Sequence, residues 1–239
     1  MVLLSGYPSL ENGATTITLT LNPGEATMVV LDPSEQPRQL QDSGSLMCEI
    51  PLNSWNLQVE GWNEGEKKVN IEDRGHGLVT REVYFETQKT LLDAGVVEPI
   101  PWKDIPAIGP DVSGVGFYRT SVEVSKDFDR AVLELGGTNG STAAVYINGQ
   151  AAEAYNINKR TLDVTKLLQK GTNEILVEVS STLNNRLLQR GFYATAMEKS
   201  NRLRLKAGNE TPDKFVHEPI KTRVRDYGLV GKSFLRLYQ

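Results

Sequence analysis

The sequence predicts an all-β protein built as a sandwich, and three observations carry that expectation. Apolar and polar residues alternate with a period of two in several separate runs. Turn-forming residues fall between those runs at close spacing, which suits antiparallel strands and not a parallel α/β sheet. Asn148-Gly149 stands between two strand-like runs, and that dipeptide tolerates the positive φ angles of a tight hairpin.

Taken in order, the chain opens on a hairpin. Ile17, Leu19 and Leu21 alternate with Thr16, Thr18 and Thr20, Asn22-Pro23-Gly24-Glu25 makes the turn, and Ala26 to Leu31 returns. A lone hairpin is marginal in water, so this one must lean on other structure. Asp32 to Ser45, rich in Pro, Gln, Asp and Ser, reads as a linker. The division expected is therefore 1–38 for hairpin and linker and 39–239 for the sandwich. Strands are expected at Met47–Ile50 and Trp55–Val59, an exposed loop or ragged edge from Gly61 to Gly77, and one helical turn from Thr87 to Ala94. A proline-rich passage then ends at Gly116. Beyond it, Tyr118, Thr120, Val122 and Val124 alternate with Arg119, Ser121 and Glu123. Ala131–Leu135, Ala143–Ile147, Glu174–Val179, Leu203–Leu205 and Ser233–Tyr238 complete the strands. Asp163–Leu168 reads as a short helix with Asp163 as N-cap and Gly171 beyond its end.

Composition narrows the function. The 239 residues carry 26 Lys+Arg against 30 Asp+Glu, a net charge of −4, which gives no drive toward nucleic acid or an anionic membrane. Cys48 is the single cysteine, so an intrachain disulfide, a thiolate zinc site and Cys-x-x-Cys redox chemistry are excluded. The first residues lack the form of a signal peptide and no run has the apolar length of a membrane span. Asn139-Gly-Ser141 and Asn209-Glu-Thr211 are glycosylation sequons only for a secreted chain, so the compartment is extracellular or unknown. No Gly-x-Ser-x-Gly elbow, P-loop or Gly-x-Gly-x-x-Gly fingerprint is present; Gly114-Val-Gly116 fails at its third glycine and leads into a strand.

An ordered series of motifs carries a family resemblance. Gly114-Val-Gly-Phe-Tyr-Arg-Thr120, Leu133-Glu-Leu-Gly-Gly137, Ala144-Val-Tyr-Ile-Asn-Gly149, Leu162-Asp-Val-Thr-Lys-Leu-Leu168 and Gly171-Thr-Asn-Glu-Ile-Leu-Val-Glu-Val179 follow one another. The series resembles the galactose-binding-like jelly roll of glycoside hydrolase family 2. Thr182-Leu-Asn-Asn-Arg-Leu187 and Gly228-Leu-Val-Gly231 are similar to the C-terminal sandwich of family 106 α-L-rhamnosidases. The resemblance covers about the last two-thirds of the chain and implies a galactose-binding-like β-sandwich. It further implies a non-catalytic module that binds a saccharide, rhamnose- or uronate-containing plant polysaccharide among the options, or that buttresses a catalytic domain of the same polypeptide or complex. No cofactor is required; relatives of this fold imply a structural calcium, bound by carbonyls and carboxylates. The parent would be a glycoside hydrolase, with no catalytic residue on this chain, because glycosidic hydrolysis needs two placed carboxyl groups and the resembled enzymes keep theirs on a barrel of about 250 residues. Two other classes stay open: an interaction sandwich with no ligand, and a free-standing enzyme using a jelly-roll cleft.

For sugar contact, Trp62, Trp55 and Trp102 are the stacking candidates, and Trp62, in a polar stretch, is the one least suited to a core. Tyr155, Asn158 and Arg160 lie in a polar segment, with Arg160 suited to a uronate carboxylate. The resemblance points to Asn184, Asn185 and Arg186; their structural alternative is to tie a loop back to the sheet through side-chain to backbone bonds.

Overall fold

In a computed structural model, residues 9–11, 14–16, 44–155, 157, 160–196 and 223–239 are described. The expected hairpin of residues 17–31, the strand at 203–205 and Asn158 lie outside the described residues. Strands β1 (Ser9–Glu11) and β2 (Ala14–Thr16) form a two-stranded ladder of their own.

The rest is the expected all-β sandwich of two antiparallel sheets. The strands are β3 (Leu46–Pro51), β4 (Trp55–Asp73), β5 (Val79–Val97), β6 (Gly114–Val124), β7 (Arg130–Glu134), β8 (Thr142–Ile147), β9 (Gln150–Ala151), β10 (Thr161–Asp163), β11 (Gly171–Ser180) and β12 (Phe234–Tyr238). One sheet has the order β10-β7-β12-β3 and the other β5-β4-β6-β11-β8-β9. The period of two is visible in burial. Val122 and Val124 of β6 and Ile175, Val177 and Val179 of β11 point inward, while Arg119, Ser121 and Glu174 point to solvent.

Between the sheets lie Trp55, Leu57, Val59, Leu133, Leu135, Ile147, Leu162, Leu235 and Leu237. Trp102, on a single 3-10 turn (Trp102–Asp104), closes one end of this core. Its indole N–H donates to Tyr118 Oη at 2.8 Å, and the same oxygen accepts Leu229 N–H at 3.0 Å. The Gly114-Val-Gly116 run now has a packing reason: a Cβ on Gly116 would sit 2.5 Å from the Trp102 ring. Asn148 and Gly149 both adopt positive φ, 52° and 78°, and turn β8 into β9 as the dipeptide requires.

Three local expectations are corrected. Asp163–Leu168 is not a helix: Thr161–Asp163 is strand β10, and Asp163 Oδ1 caps a single turn by accepting Thr165 N–H at 3.0 Å. The N-cap chemistry is real, yet Val164 is tied to the Ala131 carbonyl and the chain must rejoin the sheet. The one described helix with named bounds is α1 (Asn184–Gln189). Gly61–Asp73 is not a loop and Thr87–Ala94 is not a helical turn, because they belong to β4 and β5, while Arg74–Gly77 is the exposed turn that joins the two strands.

Those two strands pair from Trp55↔Val97 to Asp73↔Val79, whereas β4 pairs with β6 only from Asn56↔Arg119 to Gly61↔Gly114. The remainder is a hairpin arm that overhangs the sandwich. At its root a bulge sets Gly65 and Glu66 between the pairs Glu64↔Thr87 and Lys67↔Phe85. One extra residue inverts the faces. Odd-numbered residues of β4 face the core before the bulge (Trp55, Leu57, Val59) and the outer surface after it (Val69, Ile71). The arm therefore carries Val69, Ile71, Val83 and Phe85 on one outer face at 45–66% exposure. Among the described residues no helix is long and apolar enough to cross a membrane.

Candidate functional site at one end of the sandwich

Strand pairing fixes which loops meet. Ser180 pairs with Val115 and Thr142, and Glu134 pairs with Thr161 and Phe234. The loop 135–141, Arg160 and the segment 181–186 therefore occupy the same end of the sandwich, and the β4–β5 arm projects from that end.

The loop after β7 is built to be tight. Gly136 has no room for a side chain, since a Cβ would lie 2.4 Å from the Val230 carbonyl, and Gly137 bridges Val230 with a backbone bond of 2.6 Å. Thr138 is buried, and its hydroxyl donates to the Ser141 carbonyl at 2.8 Å. Asn139 then turns outward at φ 48°. A Cβ placed on Gly137 would stand 3.4 Å from Asn139 Oδ1 and 3.8 Å from Arg160 Cζ, so amide and guanidinium flank this glycine.

Tyr155 packs its ring against the core, and its hydroxyl is buried beside Thr138. Tyr155 Oη and Ser141 Oγ are both buried without a well-formed hydrogen bond among the described residues. Burial pushes the Tyr155 phenol up, with Thr138 and the Arg160 charge pulling the other way. Arg160 itself is exposed, while its carbonyl accepts Leu135 N–H at 2.9 Å. The result is an exposed cation and amide flanking Gly137, near two buried hydroxyls that make no well-formed hydrogen bond among the described residues, Tyr155 Oη having only Thr138 beside it. That donor and acceptor set suits a polyhydroxylated ligand, with Arg160 adding a fork for a carboxylate.

Asn184, Asn185 and Arg186 lie at the same end but are engaged within the chain. Asn185 is buried, donating to the Arg225 carbonyl at 3.0 Å and accepting Arg225 N–H at 2.7 Å. Asn184 donates to the Arg223 carbonyl at 3.1 Å, and Arg186 pairs with Asp111 at 3.1 Å. This is the loop-tying geometry that side-chain to backbone bonds produce. Trp62 lies elsewhere, half-buried on the outer face of β4. Its indole N–H donates to Glu60 at 2.8 Å, and Lys89 sits over its ring while pairing with the same carboxylate. The Trp62 hydrogen bond, then that of Lys89, holds the Glu60 carboxyl below its usual range. Trp55 and Trp102 are core.

A cleft crosses the outer face of the six-stranded sheet. This open cleft of about 600 Å3 is lined by Arg119, Tyr146, Glu174, Leu176 and Glu178 among others. The outward phase of β6, β8 and β11 is the sequence signal for it, and alternation alone does not single it out. Glu174 and Glu178 are four residues apart on one strand, so their Cα atoms are about 13 Å apart. Among the described residues no three of His, Cys, Asp and Glu converge.

No family model and no curated protein matches the chain. Solved structures give partial likenesses. A rhamnosidase from Novosphingobium sp. PP1Y is 17% identical with a TM-score of 0.47, over 86% of this chain and 16% of that one. A GH2 beta-galacturonidase from Eisenbergiella tayi bound to galacturonate is 14% identical with a TM-score of 0.41, over 82% and 26%. A beta-D-mannosidase from Dictyoglomus thermophilum is 16% identical with a TM-score of 0.38, over 81% and 23%. The chain spans about a sixth to a quarter of the length of these proteins.

Proposed function

We propose that this chain is a non-catalytic, saccharide-binding sandwich of a glycoside hydrolase architecture, acting beside a catalytic domain, with its contact surface around Tyr155 and Arg160. The observation that carries the reading is the pair of buried hydroxyls, Tyr155 Oη and Ser141 Oγ, that make no well-formed hydrogen bond among the described residues, with the exposed Arg160 near Tyr155. A buried hydroxyl left unmade costs about 1–3 kcal/mol, and a ligand hydroxyl or a water relieves that cost. Asn158 belongs to the proposed surface through its place in the sequence. Asn184, Asn185 and Arg186 shape the same end as supports for it.

The ligand class is a neutral or acidic sugar, with rhamnose and galacturonate as the first probes and an extracellular polysaccharide as the natural setting. Sugars exchange many water hydrogen bonds for protein ones at small net gain, so dissociation constants on the order of 0.1–1 mM are expected, roughly −4 to −5.5 kcal/mol. Amide-detected NMR titration with a monosaccharide panel tests this. Saturable shifts at 137–141, 155 and 160 support the reading, with Arg160→Ala weakening galacturonate more than rhamnose. No shift at millimolar sugar sinks it. The second reading, a ligand-free buttress, is favoured by the Asn185–Arg225 clamp, which makes this end rigid without a ligand.

A further inference from the structure

We propose that the free edge of β5 is a self-association surface, joining two copies of this chain antiparallel about Thr87. The four edges of the two sheets are unequal. β9, β10 and β3 have two, three and six residues, whereas β5 has 19 and among the described residues is paired on one side only. A long unpaired edge offers a row of N–H and C=O groups to another strand. Residues 81–91 are all exposed, as this requires. The strand has no proline and its own extra residue lies at Ala94, beyond the stretch used here; its charges, Arg81, Glu82, Glu86, Lys89 and Asp93, are of both signs, so they repel a partner in some registers and not in others.

Charge selects the occupant and the register. Two copies related by a two-fold axis normal to the sheet place residues of the same face opposite each other. An axis at Thr87 sets Arg81 against Asp93, Val83 against Leu91, Phe85 against Lys89 and Thr87 against itself, with each unlike pair occurring twice. Arg81 and Asp93 have no ion-pair partner within the chain among the described residues. Neighbouring registers are worse. An axis at Glu86 or at Lys89 sets like charges on themselves, one at Phe85 sets Arg81 against Lys89, and one at Tyr84 sets Glu82 against Glu86. An axis at Gln88 sets Val83 against Asp93 and pairs no opposite charges. Cross-strand opposite charges and apolar pairs each stabilise a ladder, while like charges opposite one another destabilise it. The pattern is thus complementary to itself in one register. The proposal is independent of saccharide binding.

Sedimentation velocity of the full chain from micromolar to millimolar concentration tests the association. A monomer–dimer equilibrium is expected. Arg81→Asp and Asp93→Arg should each weaken it about tenfold or more, and the double reversal should restore it. In a Cys48→Ser background, Thr87→Cys should form a disulfide-linked dimer under mild oxidation, since the two Cβ atoms face each other across the axis, and Leu91→Cys should not. A monomer at every concentration overturns the proposal, including one whose β5 amides are protected by another part of its own chain. So does a double reversal that fails to restore the dimer, or equal cross-linking at positions 87 and 91.

Discussion

Tyr118 shows how much of this core depends on one polar atom. Its ring meets Trp55 edge-on at 6.3 Å, and its oxygen receives both the Trp102 indole and the Leu229 amide. Tyr118→Phe removes the acceptor and keeps the volume, leaving two donors unpaired in the interior, so a loss of about 2–4 kcal/mol is expected from urea unfolding. Burial pushes this phenol up to about 12. The native state therefore holds its proton where the unfolded chain, at an ordinary value near 10, has released it. Stability from this group is constant below pH 10 and falls by about 1.4 kcal/mol per unit between pH 10 and 12. Unfolding midpoints across that window should slope more steeply for the parent than for Tyr118→Phe. The polar end behaves differently. Asn185→Ala opens two bonds to the Arg225 backbone and should cost about 1–3 kcal/mol. By contrast, Arg160→Ala, on an exposed side chain, should leave thermal unfolding nearly unchanged. Tyr118 could be assigned to a strand from its alternation, and Arg160 to a loop from its neighbours. The loop-tying role of Asn185 was legible as its structural alternative, but its partner Arg225 was not, because the two halves are 40 residues apart.

At the scale of elements, the strands that bury one face were legible and the arm was not. β6, β8 and β11 keep alternation because one side packs on the core. Beyond Gly61 the arm has solvent on both faces, so nothing forces apolar residues into one phase, and the charged run from Glu64 to Lys68 resembles a loop. The bulge at Gly65 and Glu66 hides the remaining pattern by moving Val69 and Ile71 to the other side. Asp163–Leu168 failed for the opposite reason, since its cap is that of a helix but the tertiary ladder ends it after one turn. Among the described residues the ladder past Gly61 joins β4 to β5, and Trp62 N–H adds a bond to the Ser113 carbonyl at 2.8 Å, so the arm beyond its root contributes little to the sandwich. Replacing residues 66–85 by Asn-Gly should preserve the near-ultraviolet circular dichroism of the buried Trp55 and Trp102 and shift the unfolding midpoint by only a few degrees, an effect on the order of 1 kcal/mol. A molten product would show that the arm is part of the folding unit.

At the scale of the whole molecule, the loop end and the sheet-face cleft differ in chemistry, and that difference bears on catalysis. The loop end offers hydroxyls, an amide and a guanidinium, which can hold a sugar but supply no acid and base pair. The sheet-face cleft does contain two carboxylates, Glu174 and Glu178, and so is the place where a hydrolase would have to be sought. Retaining glycosidases set their carboxyl groups about 5–5.5 Å apart and inverting ones about 6.5–9.5 Å apart. Four residues of one extended strand separate the Cα atoms of Glu174 and Glu178 by about 13 Å, and Leu176 stands on the same face between the two side chains, so both would have to lean toward each other over it to reach either spacing. The cleft is also open to solvent, whereas a general acid needs an apolar enclosure to raise its pKa toward neutrality. The full chain should therefore release no nitrophenol from aryl rhamnosides, galactosides or galacturonides above the buffer rate, with Glu174→Gln and Glu178→Gln indistinguishable from the parent. Turnover that survives repurification and disappears in either variant would make this cleft an active site and displace the ancillary reading.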